Sequence, residues 1–209
     1  MAKNKEKILT AALKLFNEEG FVNVRLQHIA DEALVSVGNL AYHYANKEAI
    51  IQALYETVTQ RQGELLAEYR IVPLFDNLNY LFLHTYQLQE AYIFFYLDTL
   101  EIIRAYPRIG EIHRTHIQSQ ISQLKLMLDF NTARGALITE PSEGAFEQLA
   151  HQIWMAMDFW RTQHAIRSTA PATESLYCDS IWHLLIPYFT AMGKQEYIQM
   201  RQMPYQFFF

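Results

Sequence analysis

An all-α fold follows from three features of the sequence. Apolar residues recur three or four positions apart in segment after segment, no stretch of useful length alternates with a period of two, and Gly and Pro fall at intervals suited to helices. The pattern predicts nine or ten helices, with neither an internal repeat nor a low-complexity segment. At 51% hydrophobic and 19% charged residues, the 209-residue chain can build a substantial core and is not disordered.

The first helix spans about Asn4 to Glu19, with Ile8, Leu9, Ala12, Leu13 and Phe16 on one face, and Gly20 stops it in the left-handed conformation. Leu26, Ile29, Ala30 and Ala33 make one buried face of a short second helix, for which Asn23 is the expected cap. Ser36 caps a third, from Val37 to about Tyr44, that turns Leu40 and Tyr44 inward. Asn46 caps a longer helix running toward Tyr69, and Pro73 marks its break. Helices over Leu74–Gln89 and Tyr92–Ala105 follow, and Pro107 closes the second of them. A long helix takes residues 108–134, and 134–142 is a loop. Another helix starts near Ser142 and ends at His164 or Arg167. Thr173 caps one reaching about Met192, stopped by Gly193, and a short tail helix runs to Met203 before Pro204.

Two short helices joined by a tight turn, the second exposing small and hydrogen-bonding side chains, have the geometry of a helix-turn-helix, whose second helix enters the major groove. Val37, Gly38, Asn39, Tyr42 and His43 occupy that outward face. The ordered series Ala33, Val35, Ser36, Gly38, Leu40, Tyr42, His43, Tyr44 and Lys47 resembles the signature of the TetR (tetracycline-repressor) family. Ile8, Ala11, Ala12, Leu15, Phe16, Gly20, Phe21, Ile29 and Ala30 extend the likeness over roughly the first 55 residues. Four positions depart from the pattern. Leu34 stands where a glycine is usual, Ala41 where an aromatic is common, Arg25 where a small hydroxyl residue is usual, and Val37 where a polar or basic one often sits.

The resemblance implies a three-helix helix-turn-helix DNA-binding domain over residues 1–47 and a helical effector-binding and dimerisation domain over 48–209. It implies a homodimer formed through the last two long helices, which bear Trp154, Trp160, Leu176, Ile181, Leu184, Leu185, Tyr188 and Phe189. A dimer also suits the DNA side, because one recognition helix reads only a few base pairs and two-fold pairing doubles the site. The expected DNA-binding residues are Arg25, Ser36, Val37, Gly38, Asn39, Tyr42, His43 and Lys47, with Lys47 and Arg25 on phosphates and Tyr42, His43 and Asn39 reaching base edges or backbone. The expected activity is that of a ligand-responsive regulator, a repressor on a palindromic double-stranded operator, released by its effector through a population shift.

Charge and cysteine usage fit this picture without dictating it. Residues 1–47 hold six basic against five acidic residues, a net +1, which leaves −6 for the remainder of a chain whose net charge is −5. Three of the lysines fall within the first seven residues, so a basic tail can meet phosphates although the chain as a whole is acidic. The one cysteine, Cys178, suits a reducing compartment, and with no apolar leader and no run of 18 apolar residues the expected location is the cytoplasm, off the membrane.

The chain carries 13 Tyr, 13 Phe and 3 Trp, more than a helical core ordinarily needs. Many lie between Tyr80 and Tyr96 or between Trp154 and Trp160, where they serve as core and interface or line a cavity of several hundred Å³ for a flat or apolar ligand. Phe95, Asp98, Arg104, Trp154 and Asp158 are the effector-binding candidates, the charged ones because they interrupt apolar stretches. Glu111, His113 and His116 have metal-like spacing but lack a further ligand, so they are expected as a solvated helix face. No metal, cofactor or enzymatic motif is expected. Two other classes stay open: a DNA-binding regulator controlled by a protein partner, and a small-molecule-binding protein with a vestigial head.

Overall fold

The structure is a computed structural model that describes residues 2–202, with side chains from Asn4 onward. Among the described residues there are ten α-helices and no strand. They are α1 (Ala2–Glu19), α2 (Leu26–Glu32), α3 (Val37–His43), α4 (Lys47–Tyr69), α5 (Phe75–Ala91), α6 (Ile93–Ala105), α7 (Pro107–Ala133), α8 (Ala145–Arg167), α9 (Glu174–Leu185) and α10 (Ala191–Gln202).

Two compact units emerge. The first takes the chain up to Gln62 together with Leu88–His116; the second takes Gly63–Gln87 and the chain from Ile117 onward. In the first unit, Ile8, Ala12 and Phe16 of α1, Ile29 and Ala30 of α2 and Leu40 of α3 are fully buried, as are Ile50 and Ile51 of α4. A helix-turn-helix pair has too little apolar surface to stand alone, and α1 supplies the cover. The N-terminal part of α6 supplies more. Phe94 sets its ring 5.2 Å from that of Phe16, and the Asn17 carboxamide donates to the Ala91 carbonyl at 2.9 Å while accepting from the Phe94 amide at 3.2 Å.

The second unit is built on aromatic packing. Trp182 of α9 lies 5.2 Å from Phe75, 5.5 Å from Phe82 and 5.2 Å from Tyr197, and its indole N–H donates to Asn79 Oδ1 at 3.0 Å. These rings meet one another, the favoured arrangement for buried aromatics. Arg134 grips Glu196 through two nitrogens at 2.6 and 2.8 Å, and Glu196 also accepts from the Phe75 amide at the start of α5.

Most helix starts fall where the sequence places them: Ser36, Asn46 and Thr173 each accept from the amide three residues on. Three details differ. Asn23 does not cap α2; its carboxamide donates to the Glu19 carbonyl and closes α1 instead, leaving Arg25 in the cap position. The helix expected from Ser142 begins at Ala145, and the amide of Phe146 is satisfied by the Glu140 carboxylate at 2.8 Å.

The third difference is larger. The helix expected to run from Thr173 to Met192 ends at Leu185, because Pro187 forces a 3₁₀ turn over Ile186–Tyr188. Gly193, expected as a stop, lies inside α10. A Cβ there would stand 2.2 Å from the Ala136 carbonyl oxygen, so glycine is required by close approach rather than by termination. The expected end of the tail helix, at Met203 and Pro204, lies outside the described residues.

Candidate nucleic-acid interface

The turn between α2 and α3 is tight because Leu34 adopts a left-handed conformation, with φ of +55°, and the Val35 amide then reaches back to the Ala30 carbonyl at 3.0 Å. A branched side chain is costly there, which explains why a glycine would be the ordinary choice. Leu34 is nevertheless 88% exposed, at the edge of an open groove of about 430 Å³ over Lys7, Thr10, Ala11 and Lys14.

Ser36 then caps α3. Its hydroxyl oxygen accepts from the Asn39 amide at 3.1 Å and so serves the helix start. Leu40 and Tyr44 are buried as the sequence predicts, which fixes the rotation of the helix. Val37, Gly38, Ala41 and Tyr42 are consequently exposed, and Asn39 and His43 are half-buried at the margins. Asn39 Oδ1 accepts from the Asn4 side chain at 3.3 Å, and the Tyr42 and His43 rings meet edge to face at 5.2 Å. A Cβ built on Gly38 would find nothing nearer than the Ser36 hydroxyl at 4.0 Å, and its φ is not positive. No contact within the protein asks for a glycine at this position. Arg25 is exposed at the start of α2, and Lys5 and Lys7 are exposed on α1.

Lys47 departs from expectation. Its ammonium is turned inward, donating to the Phe21 carbonyl and, at 2.6 Å, to the Val24 carbonyl, and it lies 4.2 Å from the centre of the Phe21 ring. Burial lowers its pKa, and the charge of Asp98 works against that lowering. A cation engaged with two carbonyls and a ring is the clasp of the α1–α2 turn, not a free phosphate contact.

Asp98 was an effector candidate because it interrupts an apolar stretch. Its Oδ2 instead accepts from the Phe21 amide at 2.7 Å, so the Phe21 backbone is held on both sides, by Asp98 on its N–H and by Lys47 on its C=O. Phe95 of the same helix is buried, its ring 4.9 Å from Tyr55 and 5.4 Å from His113. Arg104 is exposed and pairs with Glu101 at 3.4 Å. The remaining two candidates belong to the second unit. The Trp154 indole donates to Gln120 Oε1 at 3.1 Å, and burial pushes the Asp158 carboxyl up to about 7. An open groove of about 290 Å³ in that unit, between Arg70, Pro73, Leu126 and Phe130, is lined by none of the five.

Of the histidines expected on a solvated face, His113 is buried and His116 half-buried. His113 Nδ1 shares a 3.0 Å hydrogen bond with the Tyr55 hydroxyl, and His116 Nε2 one of 2.8 Å with Gln62, whose amide nitrogen donates to the Tyr96 hydroxyl. Burial, aided by His116 and Arg114, pushes His113 down to about 4, so it is neutral at pH 7. Together these side chains tie α7 to α4, and the Gln62–Tyr96 bond ties α4 to α6. Nothing in the Glu-x-His-x-x-His spacing announces this, since the partners lie more than fifty residues upstream.

Residues 51–197 match the family described as the TetR-type bacterial transcriptional repressor, and residues 8–54 match bacterial regulatory proteins of the tetR family. The chain belongs to the TetR family. It is thus a helix-turn-helix transcriptional regulator of a DNA-binding, non-enzymatic class. The HTH-type transcriptional regulator UidR of Escherichia coli K12 is 38% identical over 64 residues, which are 31% of this chain and 31% of that protein. RutR of the same strain is 43% identical over 54 residues, 26% of each. These matches span under a third of the curated relatives' length.

The fold extends much further than the identity. A TetR-family regulator from Marinobacter aquaeolei VT8 superposes with a TM-score of 0.80 at 21% identity, over 95% of this chain and 97% of that one. SmeT, the repressor of the Stenotrophomonas maltophilia multidrug efflux pump SmeDEF, superposes with a TM-score of 0.70 at 15% identity, over 90% and 91%. Among the described residues, no helix is long and apolar enough to cross a membrane.

Proposed function

We propose that this TetR-family protein is a cytoplasmic repressor that binds a palindromic operator as a homodimer and is released by a small apolar or aromatic effector. The observation that carries the DNA reading is Gly38. It is a glycine on the outward face of α3 with open space around its missing side chain, which suits close approach of the backbone to an outside partner. Val37 and Tyr42 share that face, His43 and Asn39 flank it, and Arg25 with the α1 lysines lies within the same compact unit as cationic partners for phosphate.

Residues 1–47 are then the DNA-binding domain. Lys47 and Asp98 act on it indirectly, by fixing the α1–α2 turn. The dimer reading is supported by exposed apolar residues on the last two long helices: Met155, Phe159 and Ile166 on α8 and Leu176 on α9. The effector reading rests on the family and on the aromatic content of residues 48–209, with Phe95, Trp154 and Asp158 as retained candidates. SmeT, the repressor of a multidrug efflux pump, has the same fold.

The test is selection of bound sequences from random duplex DNA with the purified protein. A two-fold symmetric enriched site is expected, and the double variant Tyr42→Ala, His43→Ala loses affinity for it while still folding and dimerising. No enriched sequence, or a double variant that binds as well as the parent, would overturn the reading.

A further inference from the structure

The recognition helix exposes an unusual set of side chains for its task. Residues 37–43 read Val-Gly-Asn-Leu-Ala-Tyr-His, with no Arg, Lys, Gln, Asp or Glu. Guanine is read in the major groove by Arg or Lys, adenine by Asn or Gln through two bonds, and the amino group of cytosine by a carboxylate. Of these, only Asn39 is present, and its side chain is half-buried with one acceptor position of Oδ1 already taken by Asn4. Lys47, the next cation along the chain, is turned inward.

Beside the Tyr42 phenol and the half-buried His43 ring, what α3 exposes is methyl groups. Val37 and Ala41, four residues apart, form one row along the outward face, and Gly38 and Tyr42 form the row beside it. Val37 is 40% exposed at the first position of the helix, so part of its side chain faces outward. The single major-groove feature that an aliphatic side chain recognises is the 5-methyl group of thymine.

We infer that α3 reads its operator through thymine methyl groups, with Val37 and Ala41 as the specificity-determining side chains. The inference rests on the DNA-binding reading above. Four residues of helix rise about 6 Å, and stacked bases are spaced about 3.4 Å apart. Each half-site therefore carries thymines within about two base steps of one another. Gly38 serves the same contact, since its bare backbone lets the Val37–Ala41 row come to van der Waals distance of the bases.

The experiment starts from the operator selected with the full-length protein. Each thymine of one half-site is replaced singly by deoxyuridine, which removes the methyl group and leaves every hydrogen-bonding edge unchanged. Affinities are measured at fixed salt. One or two positions are expected to lose roughly fourfold each, the value of burying one methyl-sized group, and about sixteenfold when both halves are changed together. Val37→Ala, a substitution at a partly exposed position that removes two methyl groups, reduces the uracil sensitivity at one of those positions. Equal affinity for thymine and uracil at every position, or a half-site without closely spaced thymines, overturns the inference while leaving the regulator reading in place. Failure to select any sequence overturns both.

Discussion

Gly38→Ala separates what the fold needs from what the DNA needs, because the two respond in opposite directions. In the free protein the added Cβ meets nothing closer than Ser36 Oγ at 4.0 Å, and the backbone there lies in a region any residue adopts. Replacing a helical glycine by alanine removes conformational freedom from the unfolded chain and stabilises by about 0.5–1 kcal/mol. For a chain of this size that raises the melting temperature by roughly 1–4 °C. On the operator the same carbon is an obstruction, holding the α3 backbone away from its contacts. Losing the seat of two methyl-sized groups against the bases costs about 1.6 kcal/mol per half-site, or roughly fifteenfold in affinity. Thermal unfolding and fluorescence anisotropy on the selected operator measure the two effects on the same preparation. A variant that binds the operator within twofold of the parent refutes the close-approach argument, and one that melts lower refutes the open-space geometry on which it rests.

Substitutions at three further positions test the compact unit that carries the reading helix. Lys47→Met keeps the apolar stem but strands the Phe21 and Val24 carbonyls, so urea denaturation should show a loss of about 2–5 kcal/mol, with operator affinity falling alongside. Leu34→Gly relieves about 1–2 kcal/mol of left-handed strain against about 0.4–1 kcal/mol of added unfolded-state freedom. A small gain in stability is expected, whereas Leu34→Ala, which keeps the Cβ, gives none. His113, held neutral by burial, binds a proton more readily unfolded than folded. Its contribution is whole above pH 6.5 and is lost as pH falls toward 4, amounting to about 3 kcal/mol at about 1.4 kcal/mol per pKa unit. Urea denaturation at pH 7 and pH 4.5 should show a smaller acid-induced loss in His113→Phe than in the parent, and equal losses would remove His113 as the cause.

The parts of the fold legible in the sequence are those governed by local chemistry. Ser36, Asn46 and Thr173 announce helix starts because the cap and its amide lie three residues apart, and Gly20, Pro73 and Pro107 announce the breaks. The outward face of α3 is legible for the same reason, since burying Leu40 and Tyr44 leaves only one rotation. What is illegible depends on partners distant along the chain. Gly193 looks like a stop until the Ala136 carbonyl, 57 residues earlier, is placed against it. Lys47 looks like a surface cation until it meets Phe21 and Val24, and Asp98 like a ligand group until it meets the Phe21 amide 77 residues away. His113 and His116 look solvated because Tyr55 and Gln62 lie on another helix. Charge in an apolar stretch signals a partner within the protein for Asp98 but only an exposed ion pair for Arg104, and the sequence does not tell the two apart.

The peptide unit of Phe21 offers an unusually direct spectroscopic handle. Its amide proton points at the Asp98 carboxylate over 2.7 Å, a strong bond to a charged acceptor that moves an amide resonance well downfield and slows its exchange with solvent. That one proton belongs to the turn after α1, while the oxygen that shifts it belongs to α6. In a spectrum of the whole regulator, a single peak therefore records whether α6 still holds the reading end of the molecule. It can be followed through titration with DNA or with any candidate effector, before the chemistry of that effector is known.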